Sequence, residues 1–172
     1  DNSTSFLYQW KMKFEENGME KRAGVHIFAD DLSQDYRGNS YLIYFYADED
    51  RIRILKSNSA GDYETLLIEN VSLLSGDWLN YKVIYDPKIG RISVYLDDQR
   101  IADIVDDNPL QNGSGLSFRT GGTSATFDEI AVYQGRDCSG TKNIVVATNG
   151  DCRFESPNDS TFVCGIQSVG FS

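Results

Sequence analysis

What this sequence has little of narrows it first. Apolar residues recurring every three or four positions are almost missing from its 172 residues, so helices cannot supply the framework. No apolar run approaches the length of a transmembrane helix and no signal peptide is present, which argues against membrane insertion. Positive charge is also scarce. Sixteen Lys and Arg against 26 Asp and Glu leave a net charge of −10 and an isoelectric point near 4.5. Nucleic acid, which needs clustered cations, is therefore not an expected partner, whereas neutral glycans or basic surfaces are compatible.

The usual materials of catalysis are thin as well. Histidine occurs once, at His26, and no local motif supplies it with a nucleophile and an orienting acid. The three cysteines, Cys138, Cys152 and Cys164, lack Cys-x-x-Cys or Cys/His spacing, so zinc is not expected. Their odd number cannot be wholly paired within one chain and leaves the redox compartment open. No strand carries a Glu-x-Asp-x-x-Glu series of the kind that retaining glycosidases use to bring two carboxylates about 5 Å apart. The nearest candidates, Asp128 and Glu129, are adjacent and would point to opposite faces of a strand.

What is there is a two-residue period. Phe6, Tyr8, Trp10, Met12 and Phe14 alternate with Gln9, Lys11 and Lys13, a strand with one buried face. Glu15 to Arg22 reads as a charged connection, and Ala23 to Asp30 as a second strand, with Val25 and Ile27 on one side and His26 and Phe28 on the other. Asp30 to Asn39 is a polar loop. Ser40 to Ala47 is apolar on both faces, which places it centrally in a sheet; Arg51 to Lys56 and Glu64 to Leu74 follow as further strands.

Gly76 to Val105 then packs three strands and two turns into one antiparallel meander, with Asp97-Asp98 as a two-residue hairpin turn. Gly115 to Gly121 and Thr123 to Gln134 complete the series. The predicted class is all-β, a two-sheet antiparallel β-sandwich over residues 1–134. Residues 135–172 read as a linker and a partial β-rich module, with strands at Ile144 to Ala147, Cys152 to Glu155 and Phe162 to Phe171. Starting at Asp1 and ending inside an apolar run, the sequence reads as a piece of a longer chain.

Several of these segments carry a family resemblance. Asp77-Trp78, Tyr81-Lys82-Val83, Tyr85-Asp86, Gly90-Arg91 and Val94-Tyr95-Leu96-Asp97-Asp98, in that order, resemble the signature of laminin-G-like, concanavalin A-like jelly-roll domains. Phe127-Asp128-Glu129-Ile130-Ala131-Val132-Tyr133 is similar to their closing strand. One departure is Asp98, where glycine is common; aspartate tolerates the positive φ better than most residues. Among such domains the chain looks most like accessory modules of bacterial secreted polysaccharide- or cell-wall-active proteins, xanthan lyases and amidases included.

The resemblance implies a non-catalytic carbohydrate-binding module in an extracytoplasmic protein, with a polysaccharide or cell-wall glycan and the neighbouring domains of the same protein as partners. The alternatives are a structural spacer or protein-interaction module and, behind these, a divergent glycoside hydrolase or lyase. Sugar rings stack on aromatic faces while planar polar groups read their hydroxyls. On that basis Tyr44, Tyr46, Arg53, Arg119 and His26 are the candidate ligand residues, although for Tyr44 and Tyr46 a place in the core is an equal reading. Related sandwiches often bind calcium. Asp30, Asp31, Asp35 and Asn39, four oxygen donors in one loop, are the candidate set for a structural calcium ion, without the pattern of an EF-hand.

Overall fold

The computed structural model of the chain describes residues 5–73, 76–137 and 163–168. Among these lie β1 (Phe6–Ala29), β2 (Ser40–Tyr46), β3 (Arg51–Ser57), β4 (Tyr63–Asn70), β5 (Leu79–Asp86), β6 (Arg91–Leu96), β7 (Gln99–Val105), β8 (Gly115–Asp137) and β9 (Val163–Ser168), with a 3-10 turn at Asp35–Arg37. All pairings are antiparallel, and the order runs β4-β3-β2-β1-β5-β6-β7, with β8 on β1 and β9 on β8. The all-β sandwich expected from the sequence is the architecture observed.

Two strands are far longer than their sequence suggests, and they define the layers. Residues 15–22 do not leave the sheet: β1 continues through them, with register shifts at Phe14, Gly18 and Arg22 where it bends. Likewise Gly115 to Gly121 and Thr123 to Gln134 form the single strand β8, which follows β1 along its whole length. On its other edge β1 pairs with β5 over Phe6–Met12 and with β2 over Arg22–Ile27. One layer is therefore β7-β6-β5 with the first half of β1, and the other is β4-β3-β2 with its second half. The polar composition of residues 15–22 concealed this, because a bend in a continuous strand keeps its backbone pairing without needing an apolar face.

Aromatic rings join the layers. Phe45 of β2 meets Tyr81 of β5 at 4.7 Å between centroids and Tyr41 meets Tyr85 at 5.0 Å, while within one layer Trp10 stacks at 5.6 Å on Tyr81, its partner across β1 and β5. Each such ring buried from water contributes on the order of 2 kcal/mol. Phe28 belongs to this core too, against Phe6 and Tyr85. Simple alternation puts Phe28 beside His26, and that expectation fails. A register shift between His26 and Ala29, with φ of 51° at Phe28, turns two successive side chains inward.

Asp106, just after β7, is buried, accepting from the Tyr41 hydroxyl at 2.7 Å and pairing with Lys56 at 2.8 Å. Burial works against its charge, but these partners and the Asn108 N–H outweigh it and hold its carboxyl below the usual range. At the far end of the meander, Asp97 and Asp98 both adopt the positive φ that a tight two-residue hairpin requires.

Beyond Gln134 the strand β8 runs on to Asp137, and β9 pairs with its end from Tyr133↔Ser168 to Asp137↔Val163. A strand within Phe162 to Phe171 is thus present. The strands expected at Ile144 to Ala147 and Cys152 to Glu155 lie outside the described residues.

Candidate functional site

Directly opposed residues of antiparallel strands share a face, so register alone assembles the outer surface of the β4-β3-β2-β1-β8 layer. One row runs Leu55, Leu42, His26, Ser117; the next Arg53, Tyr44, Gly24, Arg119; the third Arg51, Tyr46, Arg22, Gly121. Tyr41, Ile43 and Phe45, the alternate residues of β2, face the other layer. Leu42, Tyr44, Tyr46 and Leu55, with Tyr63 against them, make an apolar cluster separate from the main core.

This cluster is a floor rather than an open surface. Tyr44 and Tyr46 are only 5% and 6% exposed: cations lie over Tyr46, and Tyr44 packs edge-on against it at 5.1 Å. The Arg53 guanidinium sits 4.5 Å above the Tyr46 ring and that of Arg22 lies 5.9 Å from it. Arg119 donates to the Tyr63 hydroxyl at 2.9 Å, hydrogen-bonds Tyr44, and lies 5.5 Å and 5.8 Å from the rings of Tyr36 and Tyr63. Gly121 makes room for this: a β-carbon there would come within 2.5 Å of the Tyr44 hydroxyl.

His26 lies beneath, 2% exposed. Its Nδ1 is 2.9 Å from Ser40 Oγ, which is 2.7 Å from Ser57 Oγ, and its Nε2 is 3.5 Å from the Tyr63 hydroxyl. Burial first, then the positive charges of Arg119 and Arg37, push its pKa down to about 4. At neutral pH it is an uncharged support for Tyr63.

The loop after β1 completes the site. Tyr36 (φ 58°), Arg37 (φ 63°) and Gly38 (φ 62°) are three consecutive left-handed residues, an arrangement that costs the two non-glycine positions on the order of 1 kcal/mol each. Asp30 holds the turn, accepting from the backbone N–H of Asn39 at 2.8 Å and its side-chain amide at 2.6 Å. Arg37 ties it to the sheet by donating to Ser117 Oγ at 2.9 Å. The outcome is a Tyr36 ring 38% exposed, edge-on to Tyr63 at 5.1 Å and beside Arg119.

The five candidate ligand residues thus converge on one face, with Arg53 and Arg119 uppermost and Tyr44, Tyr46 and His26 below them. Sequence reasoning missed Tyr36, Arg37 and Tyr63 and left Arg22 in a connection. The turn chemistry of Asp30 to Asn39 was a signal for an ordered loop, but nothing local tells which sheet face that loop overhangs. Asp30, Asp31, Asp35 and Asn39 do share that loop. The Asp30 carboxylate accepts from Asn39, and that of Asp31 from Ser33 and Gln34. Among the described residues, no three His, Cys, Asp or Glu side chains gather as a metal site. The two carboxylates that pair with the site arginines, Glu20 on Arg22 and Glu49 on Arg51, are themselves taken up by those pairings.

No protein family and no curated protein is matched by the sequence. Solved structures do match in fold. The carbohydrate binding module CBM66 from Bacillus subtilis has a TM-score of 0.60 at 18% identity, over 75% of this chain and 74% of that one. Sheep galectin-11 has a TM-score of 0.55 at 12% identity, over 72% of this chain and 89% of its own. A putative glycosyl hydrolase from Parabacteroides distasonis has 0.52 at 11% identity, over 74% and 70%. At these identities the likeness is one of architecture: the chain has a galectin-like jelly-roll sandwich.

Proposed function

We propose that this chain is a non-catalytic carbohydrate-binding module that receives a glycan on the outer face of the β4-β3-β2-β1-β8 layer. The observation that carries the reading is the Tyr36 ring, held half-open by a strained loop beside Arg119 and Tyr63. Strain of this kind persists only where surrounding contacts impose it, and here it presents an aromatic surface with planar hydrogen-bond donors next to it, the combination that sugar rings require. That one structural neighbour is named a carbohydrate binding module supports the reading by analogy of fold. In this proposal the module belongs to an extracytoplasmic polysaccharide- or cell-wall-active protein, as the sequence resemblance to laminin-G-like accessory modules implies.

The test is a glycan array followed by isothermal titration calorimetry on the chain and on Tyr36→Ala. Binding to at least one plant or microbial polysaccharide is expected, weakened about tenfold by the substitution, in line with the loss of one stacking contact. An array without any bound glycan would leave a spacer or protein-interaction module as the better reading. Release of reducing ends from a polysaccharide by the isolated chain would overturn the non-catalytic assignment.

A further inference from the structure

The charge of this face runs against the charge of the chain. A molecule of net −10 gathers Arg22, Arg37, Arg51, Arg53 and Arg119 on or beside one layer. Glu49 pairs with Arg51 and lies 3.9 Å from Arg53, and Glu20 pairs with Arg22. Arg37 and Arg119 have no carboxylate within ion-pair distance among the described residues; neutral oxygens hold them in place, from Ser117, Leu32 and Gln34 for Arg37 and from Tyr63 for Arg119. Arg119 lies 5.5 Å from the centroid of the exposed Tyr36 ring, and Arg37, next to Tyr36 in the chain, bonds through its Nε to Ser117, two residues before Arg119 on β8.

Resting on the glycan-binding reading, we infer that the ligand is acidic: a glycan containing uronic acid, whose ring lies against Tyr36 while its carboxylate is taken by Arg37 and Arg119. A uronic acid joins on one residue the two features this site offers partners for, an apolar ring face and a planar carboxylate that matches a guanidinium fork. A neutral sugar would leave two uncompensated cations beside it. The negative charge elsewhere on the molecule does not cancel the attraction. At physiological ionic strength it is screened beyond roughly 8 Å, whereas a carboxylate at the site would touch the guanidinium groups. The lowered pKa of His26, to which Arg119 and Arg37 contribute after burial, reports the same positive potential from within the sheet.

The experiment is calorimetric titration of the full chain with oligosaccharides of galacturonate, mannuronate and glucuronate, each against its carboxyl-reduced neutral counterpart, with a carrageenan oligosaccharide, sulfated but free of uronic acid, as a further arm. At least one uronate should bind about tenfold more tightly than its reduced form. That advantage should shrink as sodium chloride is raised from about 50 mM to about 500 mM, a readout that needs no variant. Arg119→Gln and Arg37→Gln should each diminish it. Equal binding of acidic and reduced forms, a preference for the sulfated chain over every uronate, or an acid preference unchanged in both variants would overturn the inference. Binding of neutral glycans that depends on Tyr36 but not on the arginines would remove the acidic ligand and keep the module a glycan binder. Silence from every glycan of either charge would remove both.

Discussion

At the scale of single residues, the site depends on side chains whose ordinary behaviour is altered by what covers them. His26 is the clearest case. Buried among Ser40, Tyr63 and Ser117 and near Arg119 and Arg37, it holds its proton only below about pH 4, against 6.5 when free. Between those values the unfolded chain binds a proton that the folded chain refuses, so stability rises with pH across this window and is lost as pH falls from 6.5 toward 4. The loss is on the order of 3 kcal/mol. Urea unfolding at pH 7 and at pH 4.5 should show it in the native protein, and His26→Gln should lose less stability between the two, because the remaining carboxylates titrate alike in both. An equal loss in the two proteins would show that His26 is not the group responsible.

At the scale of elements, the decisive contact is between β1 and β2, because the tyrosine floor stands on β2 while Arg22 and His26 stand on β1. Gly24 permits that contact. A β-carbon there would overlap the carbonyl oxygen of Ile43 and lie 3.0 Å from Tyr44 Cα, and backbone atoms cannot swing aside. Gly24→Ala should therefore cost about 3 kcal/mol or more, visible as a large fall in the denaturation midpoint. Gly121→Ala makes a useful comparison, since it meets first the hydroxyl of Tyr44, the end of a side chain. Its cost should be smaller. If both substitutions were equally mild, the close approach of β1 to β2 would be wrong. Much at this scale was legible in advance: the meander of β5, β6 and β7, the central position of β2 and the Asp97-Asp98 turn all follow from local patterns. The continuity of β1 and β8 was not, because a bend rich in charge looks the same in sequence as a loop.

At the scale of the whole molecule, that continuity has a thermodynamic consequence. Both long strands contribute to both layers, so neither layer can separate without unpairing β1 from β8 along its length. The sandwich should unfold as one unit. Tryptophan fluorescence, which senses Trp10 between the layers, and far-ultraviolet circular dichroism should give coincident urea transitions. Separate midpoints would show the layers to be independent. The sequence by itself determined the all-β class, the positions of most strands and turns, and, outside the irregularity at Phe28, which residues of a strand share a face, because a two-residue period is a property of the local chain. Only the tertiary structure decided which outward faces become neighbours. Register between distant strands is set by how the two layers pack, and it is register that brings Arg22 beside Tyr46 and Arg119 beside Tyr44 and Tyr63. The left-handed backbone at Tyr36 and Arg37 is of the same kind, since no local preference selects it and only contacts with the finished sheet hold it. The tyrosines, legible as strand residues from the start, became the floor of a cationic site for that reason alone.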